Sequence, residues 1–245
     1  MEDLSTARYA LSPAHRLLHP YSTIPLPFIH FPTSDHSTPS PPSSPSSITS
    51  SPSSCSSISP PPSSTLPRTE ICETAAKILF MTAQWVRSVP SFLLLSPKDQ
   101  TMLYMQSWQK LFTLGCAQFL TVADLEQFQY CSSVPENQFC SFLHSVSSLQ
   151  SLCLSSSDYS CLRAVLLFQH KPSTAYQAMH SIAEYRDQAM LSLAHTNPAM
   201  LPRILLSLAR MEDILPGTLH HLFFRDTIGD TVDIGALVGG LLHTT

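Results

Sequence analysis

Two long apolar runs separated by a proline constrain this chain more than any other feature. From Ile71 to Phe119 it reads ICETAAKILFMTAQWVRSVPSFLLLSPKDQTMLYMQSWQKLFTLGCAQF. In the first run Ile71, Ala75, Ile78, Leu79, Trp85, Val86 and Val89 recur at helical spacing. Pro90 disfavours a helical conformation at Val89 and so ends or kinks that run. Ser96-Pro97-Lys98-Asp99 restarts it. Ser96 caps, Pro97 suits the first helical position, and Asp99 is placed to return a hydrogen bond to the cap's own N–H. The second helix carries Leu103, Trp108, Leu111, Phe112, Gly115 and Phe119 on its buried side. Both helices are apolar around too much of their circumference for a surface position, which predicts an all-α domain built in several layers.

The rest of the chain divides into a tail and further helices. Thr33 to Pro67 is almost entirely Ser, Pro and Thr. A segment with nothing to bury cannot offset the entropy of ordering, so residues 1–67 are expected to form a disordered arm. Thr38-Pro39, Ser40-Pro41, Ser44-Pro45, Ser51-Pro52 and Ser59-Pro60 within it have the form of proline-directed kinase sites. The domain is expected over 68–245. Thr121 to Glu136 shows weak periodicity. Asn137 to Leu154 has an apolar stripe through Phe139, Phe142, Leu143, Val146 and Leu149. Ser155-Ser156-Ser157-Asp158 reads as a helix start before a short, fully apolar helix over Tyr159 to Phe168. Thr174 to His195 reads as an amphipathic helix, and Leu201 to Phe224 as a second strong helical element interrupted at Pro216-Gly217. Val232 to Leu242 is a short apolar tail.

Composition excludes several functions. Charged residues make up 12% of the 245, about half the usual ~25%, and the net charge is −4. That balance offers no basic footprint for nucleic acid. No apolar run reaches the ~18 residues of a membrane span, and the N-terminus lacks a secretory pattern. Seven cysteines without framework spacing read as reduced thiols. Neither a Gly-rich phosphate loop, a G-x-S-x-G elbow nor an H-E-x-x-H pair occurs, so no catalytic residue is assigned and the chain does not read as an enzyme. Glu212-Asp213 reads as a solvated helix flank. Cys131, Cys140 and His144 lack a fourth ligand at metal-site spacing, so no metal or cofactor is assigned. His220-His221, being adjacent on a helix, cannot both face one site.

The motif Phe80-x4-Trp85-x-Arg87-x4-Phe92-x6-Asp99-Gln100-x2-Leu103 resembles the signature of the nuclear-receptor ligand-binding domain, a three-layer antiparallel helical sandwich. LFMTAQWVRSVPSF, WQKLFTLGCAQF and LFFRDTIGDT are similar to the tailless and photoreceptor-specific orphan group. The resemblance implies a nuclear regulator of transcription and a coregulator groove formed by Arg87, Gln100 and Leu103, with Leu241 and Leu242 as its lid. It also implies homo- or heterodimerisation through the exposed flank of the long C-terminal helical element over Leu201 to Phe224. A small apolar ligand would sit among Leu79, Ala83, Trp108, Leu111, Gly115 and Phe223, although the same residues equally make a filled core.

Departures from the family pattern are informative. In the family, a cation and a terminal acid hold the two ends of a coactivator helix, whose unsatisfied C=O and N–H groups carry opposite partial charges. Arg87 stands at the cationic end. At the other end Leu237-Val238-Gly239-Gly240-Leu241-Leu242 keeps the apolar pairs but has Gly240 in place of the acid. Adjacent glycines cost about 1 kcal/mol each in a helix, so this tail is expected to be poorly helical unless packing holds it, and its leucines could fold back into the groove. The implied domain is biased toward repression through corepressors. No paired C-x2-C module is present in these residues, so DNA contact is not expected through them. Met105 and Gln106 occupy the place of an acid used in a standard heterodimer contact. Two other readings remain: a domain responsive to a lipid-like ligand, and an adaptor that dimerises with full-length receptors as a dominant negative.

Overall fold

The computed structural model describes residues 65–129, 133–171 and 174–243. The arm expected over 1–67 therefore lies, up to residue 64, outside the described residues, as does Cys131. Among the described residues the structure is entirely helical. It opens with α1 (Arg68–Ser88), α2 (Pro90–Leu93) and α3 (Pro97–Phe119), as the apolar runs and Pro90 predict. Val89 takes an extended conformation before Pro90, and the Ser96 side chain accepts the Asp99 N–H at 3.2 Å.

The middle layer is α3. Every residue from Lys110 to Ala117 is buried, and a helix can hide two successive turns only when it is covered all round. By contrast α1 exposes Glu70, Glu73, Lys77, Phe80 and Gln84. It is an outer-layer helix, so the expectation that both helices are enclosed holds for α3 alone. The two helices approach closely because position 115 has no side chain: a Cβ on Gly115 would overlap the Cγ2 methyl of Ile78.

Beyond α3 come α4 (Val122–Glu126), α5 (Glu136–Gln150), α6 (Ser156–Leu167) and α7 (Met179–Thr196). The weakly periodic stretch after Phe119 thus supplies a short helix, started by a Thr121–Asp124 capping box. Helix α5 buries Phe139, Phe142, Val146 and Leu149 against α3. Helix α6 also packs on α3, α7 on α6, and a later helix, α8 (Leu201–Arg210), on α5. The result is the three-layer all-α sandwich. Helix α6 is not fully apolar: Arg163 is buried and donates to Gln118 Oε1. Burial lowers the Arg163 guanidinium's pKa to about 10, an effect the neighbouring Tyr159 opposes.

Two buried aspartates fix the ends of α7. Asp99 does not return a bond to the Ser96 N–H. Its carboxylate accepts the backbone N–H groups of Gln177 at 3.1 Å and Ala178 at 3.0 Å, which start α7 later than Thr174. At the other end Asp158 completes a capping box with Ser155 and accepts from Thr196 Oγ1 at 3.1 Å and Asn197 Nδ2 at 2.7 Å. Burial acts to raise the Asp158 pKa. The hydrogen bonds from Ser155, Asn197 and Thr196 outweigh it and hold the carboxyl below its ordinary value.

The element read over Leu201 to Phe224 is broken more than once. After α8 a 3₁₀ turn (Met211–Asp213) leads to α9 (Pro216–Leu219), a π turn (His220–Phe224) and α10 (Arg225–Ile228). Glu212 is not a free flank: it pairs with Lys110 of α3 and accepts from Gln169 Nε2 at 3.0 Å. His220 is buried and its Nε2 lies 3.0 Å from the Gly229 carbonyl, whereas His221 is partly exposed.

Replacing Gly115 with Ala should lower stability by about 1–3 kcal/mol, the cost of overpacking, although Ala is the better helix former. A urea midpoint unchanged or raised in Gly115→Ala would show that the α1–α3 contact is not closed at this point. The depressed Asp158 pKa gives a second expectation. A carboxyl held low contributes stability above its unfolded pKa of about 3.9, and that contribution disappears as pH falls through the folded value. The stability gap between wild type and Asp158→Ala should therefore be wide at neutral pH and close in acid, as followed by denaturant titration at both.

Candidate functional site

The last helix, α11 (Ile234–His243), lies against α1 and α3. Their facing ends form the region where the sequence places a groove. Pro90 ends α1 there, and buried Val89, Phe92 and Leu95 hold the link to α3, while Leu93 and Leu94 are left exposed. Gln100 spends its amide on this link, with Nε2 donating to Leu95 O at 2.9 Å and Leu93 O at 3.4 Å. Leu103 is fully buried, so it forms the support behind this surface. Arg87 is half-buried, and its Nε is enclosed without a hydrogen-bond partner, as is the Tyr104 hydroxyl. Burial pushes the Tyr104 phenol well above its ordinary range, and the Arg87 charge offsets part of that rise.

Helix α11 forms despite its glycines because it is packed. Asp233 Oδ1 accepts the Gly235 N–H at 2.8 Å and caps its start. Ile234, Val238 and Leu242, four residues apart, make a buried stripe, with Val238 wholly enclosed. Leu237 and Leu241 are partly buried against the core. Gly235 and Gly239 share another face, and a Cβ on either would stand 3.5 Å from the Met105 thioether end on α3. Gly240 is exposed, with open space around it. Leu241 and Leu242 are thus brought to the same assembly as Arg87, Gln100 and Leu103 by their helices. Met105 has no such role in the sequence reading.

The candidate ligand residues lie in packed core. Leu79, Ala83, Trp108, Leu111 and Phe223 are each at most 3% exposed. The Phe223 ring stands 5.2 to 5.7 Å from those of Phe128, Phe112 and Phe142. The cavity that reaches Gly115 has a volume of about 10 Å³, enough for one water molecule at most. A larger cavity, about 340 Å³, lies between α5 and α8 and is lined by His144, several serines, Arg203 and Arg210. A third, about 440 Å³, lies between the start of α1 and α10, beside Cys72 and the Arg68–Asp226 ion pair. Gln106, in the place of the heterodimer acid, is taken up within the chain by Thr174 Oγ1 at 2.8 Å and Tyr176 OH at 2.7 Å. Helix α8 leaves Leu205 and Leu206 exposed.

Sequence comparison agrees with this architecture. Residues 56–196 match the ligand-binding domain of nuclear hormone receptor. Protein tailless of Drosophila virilis is 28% identical, over 70% of this chain and 48% of that protein. Human nuclear receptor subfamily 2 group F member 6 is 28% identical, over 66% of this chain and 44% of its own length. Steroid receptor seven-up, isoforms B/C, of Drosophila melanogaster is 27% identical over 69% and 35%. The chain thus spans about half the length, or less, of these curated relatives. With a helical sandwich, a terminal helix lying on α1 and α3, and a family match over more than half its length, the chain belongs to the family of nuclear hormone receptor ligand-binding domains.

Proposed function

We propose that this chain acts as an orphan-receptor regulatory domain in transcription, in the nucleus, with a bias toward repression through corepressor helices. The domain assigned to this role is Arg68 to Thr245. Arg87 supplies the cationic end of the coregulator groove, Gln100 and Leu103 brace its wall, and Leu241 and Leu242 form its lid. The observation that carries this reading is the seating of α11 on α1 and α3. Val238 is enclosed, Met105 faces the Gly235–Gly239 notch, and Gly240 stands open where an acid would clamp a coactivator. A groove lacking that acid disfavours coactivator binding. Dimerisation would use the exposed flank of α8, where Leu205 and Leu206 face outward. This role involves no catalysis and no DNA contact through these residues.

A ligand-responsive domain is the second reading, supported by the cavity of about 440 Å³ between α1 and α10. A lipid-like molecule found by mass spectrometry on the purified native protein would favour it.

The main reading is tested by fluorescence anisotropy with two labelled peptides, a Leu-x-x-Leu-Leu coactivator helix and a corepressor helix. The unaltered protein should bind the corepressor peptide only. Gly240→Glu, for which there is room, should gain coactivator binding. Strong coactivator binding by the unaltered protein would sink the repressive reading. Arg87→Ala should weaken the corepressor peptide about tenfold, the effect of one lost charge-assisted hydrogen bond.

A further inference from the structure

Helices α5 and α8 face each other across the cavity of about 340 Å³ with matched spacing. His144, Ser147, Ser148 and the C-cap Ser151 come from one helix, and Arg203, Leu206, Ser207 and Arg210 from the other. Each set follows i, i+3, i+4, i+7, the spacing of a single helix face. None of the lining residues is acidic. Among the described residues neither Arg203 nor Arg210 pairs with a carboxylate, and the acid nearest Arg210 in sequence, Glu212, is engaged by Lys110 and Gln169. In a chain with 13 basic residues against 17 acidic ones, two uncompensated guanidiniums around one acid-free cavity are a local excess of positive charge.

Arg210 and the serines are already arranged, while Arg203 Nη1 donates to Met200 Sδ at 3.9 Å and would swing toward a bound group. Arg210 Nη1 lies 3.2 Å from His144 Nε2 and donates to Ser148 Oγ at 3.2 Å. A guanidinium can only donate, so His144 Nε2 is the acceptor in this contact. Ser148 and Ser207 hydroxyls meet at 2.8 Å on the cavity floor. Arg203 and Arg210 are two turns apart, about 10.5 Å along the axis, and their long side chains can converge on one group held between them.

We propose that this cavity binds a phosphate monoester carried on a small polar body such as a polyol or sugar. A phosphomonoester brings nearly two negative charges and three acceptor oxygens, enough for both guanidiniums and a serine hydroxyl. A carboxylate, with one charge and two oxygens, satisfies one arginine. The cavity is large enough for a small ligand. Among the described residues Leu152 and Leu206 are its only apolar lining, so an acyl chain would gain little there. The site is separate from the α11 groove and does not depend on the repressive reading, although it shares Leu206 with the α8 flank assigned to dimerisation.

The test is isothermal titration of the full chain with glycerol 3-phosphate, inorganic phosphate and sodium chloride at matched ionic strength. Saturable binding of glycerol 3-phosphate, stronger than that of inorganic phosphate and absent with chloride, is expected. Arg203→Gln/Arg210→Gln should weaken it at least about 30-fold. Ser147→Asp, on an exposed position, should abolish it by placing a carboxylate at the site, and Arg186→Gln elsewhere should leave it unchanged. Equal affinity for the two phosphates would reduce the site to an adventitious ion only, and so overturn the proposal. No saturable binding, or binding undiminished in the double variant, would overturn it as well.

Discussion

The close approach of α1 and α3, closed over the absent side chain of Gly115, is the contact on which the other elements depend. With Ile78 seated at that position, α3 is covered on one side by α1, and its remaining surface is filled by α5 and α6. The enclosure explains why α3 carries so few charges. Lys110, the one basic residue in its enclosed portion, is buried only because Glu212 and Gln169 meet its ammonium, since an unpaired buried charge is prohibitively costly. The outer elements are attached by polar bonds at their ends. Asp99 holds the start of α7, Asp158 its end, and Asp124 accepts the Leu66 N–H at 2.8 Å ahead of α1.

Much of this was legible because it is local. Ser96-Pro97, Ser155-x-x-Asp158 and the apolar spacing of Ile71 to Val89 act within a turn or two, and those starts and stops appear where the residues put them. The misreadings concern side chains whose partners are remote in sequence. Asp99 has the spacing of a capping-box acid, yet it bonds 78 residues away at Gln177. Arg163 interrupts an apolar run, and its partner Gln118 lies on α3. Nothing in the local pattern of either residue names that partner. The candidate site was legible in the same measure. Arg87 and the terminal leucines followed from the family motif, but the burial of Leu103 and the engagement of Gln100 with the α2–α3 link are tertiary facts.

The terminal helix shows how the two kinds of information combine. As an isolated segment of about ten residues it would be marginal even with good helix formers, and Gly235, Gly239 and Gly240 each cost about 1 kcal/mol relative to alanine. Burial of Ile234, Val238 and Leu242 contributes about 1.5–3 kcal/mol apiece, which exceeds that cost only while the helix is docked. Two of the three glycines face Met105, whose thioether end would be in ordinary contact with a Cβ at either position. Helicity and docking are therefore one event for α11: lifted from α1 and α3, it loses both the burial that stabilises it and the reason to remain helical. Anything that displaced it from those two helices would have to unfold it as well, and its affinity for the surface beneath is reduced by that coupled cost. The glycines thus make α11 a segment whose helical structure exists only in contact with α1 and α3.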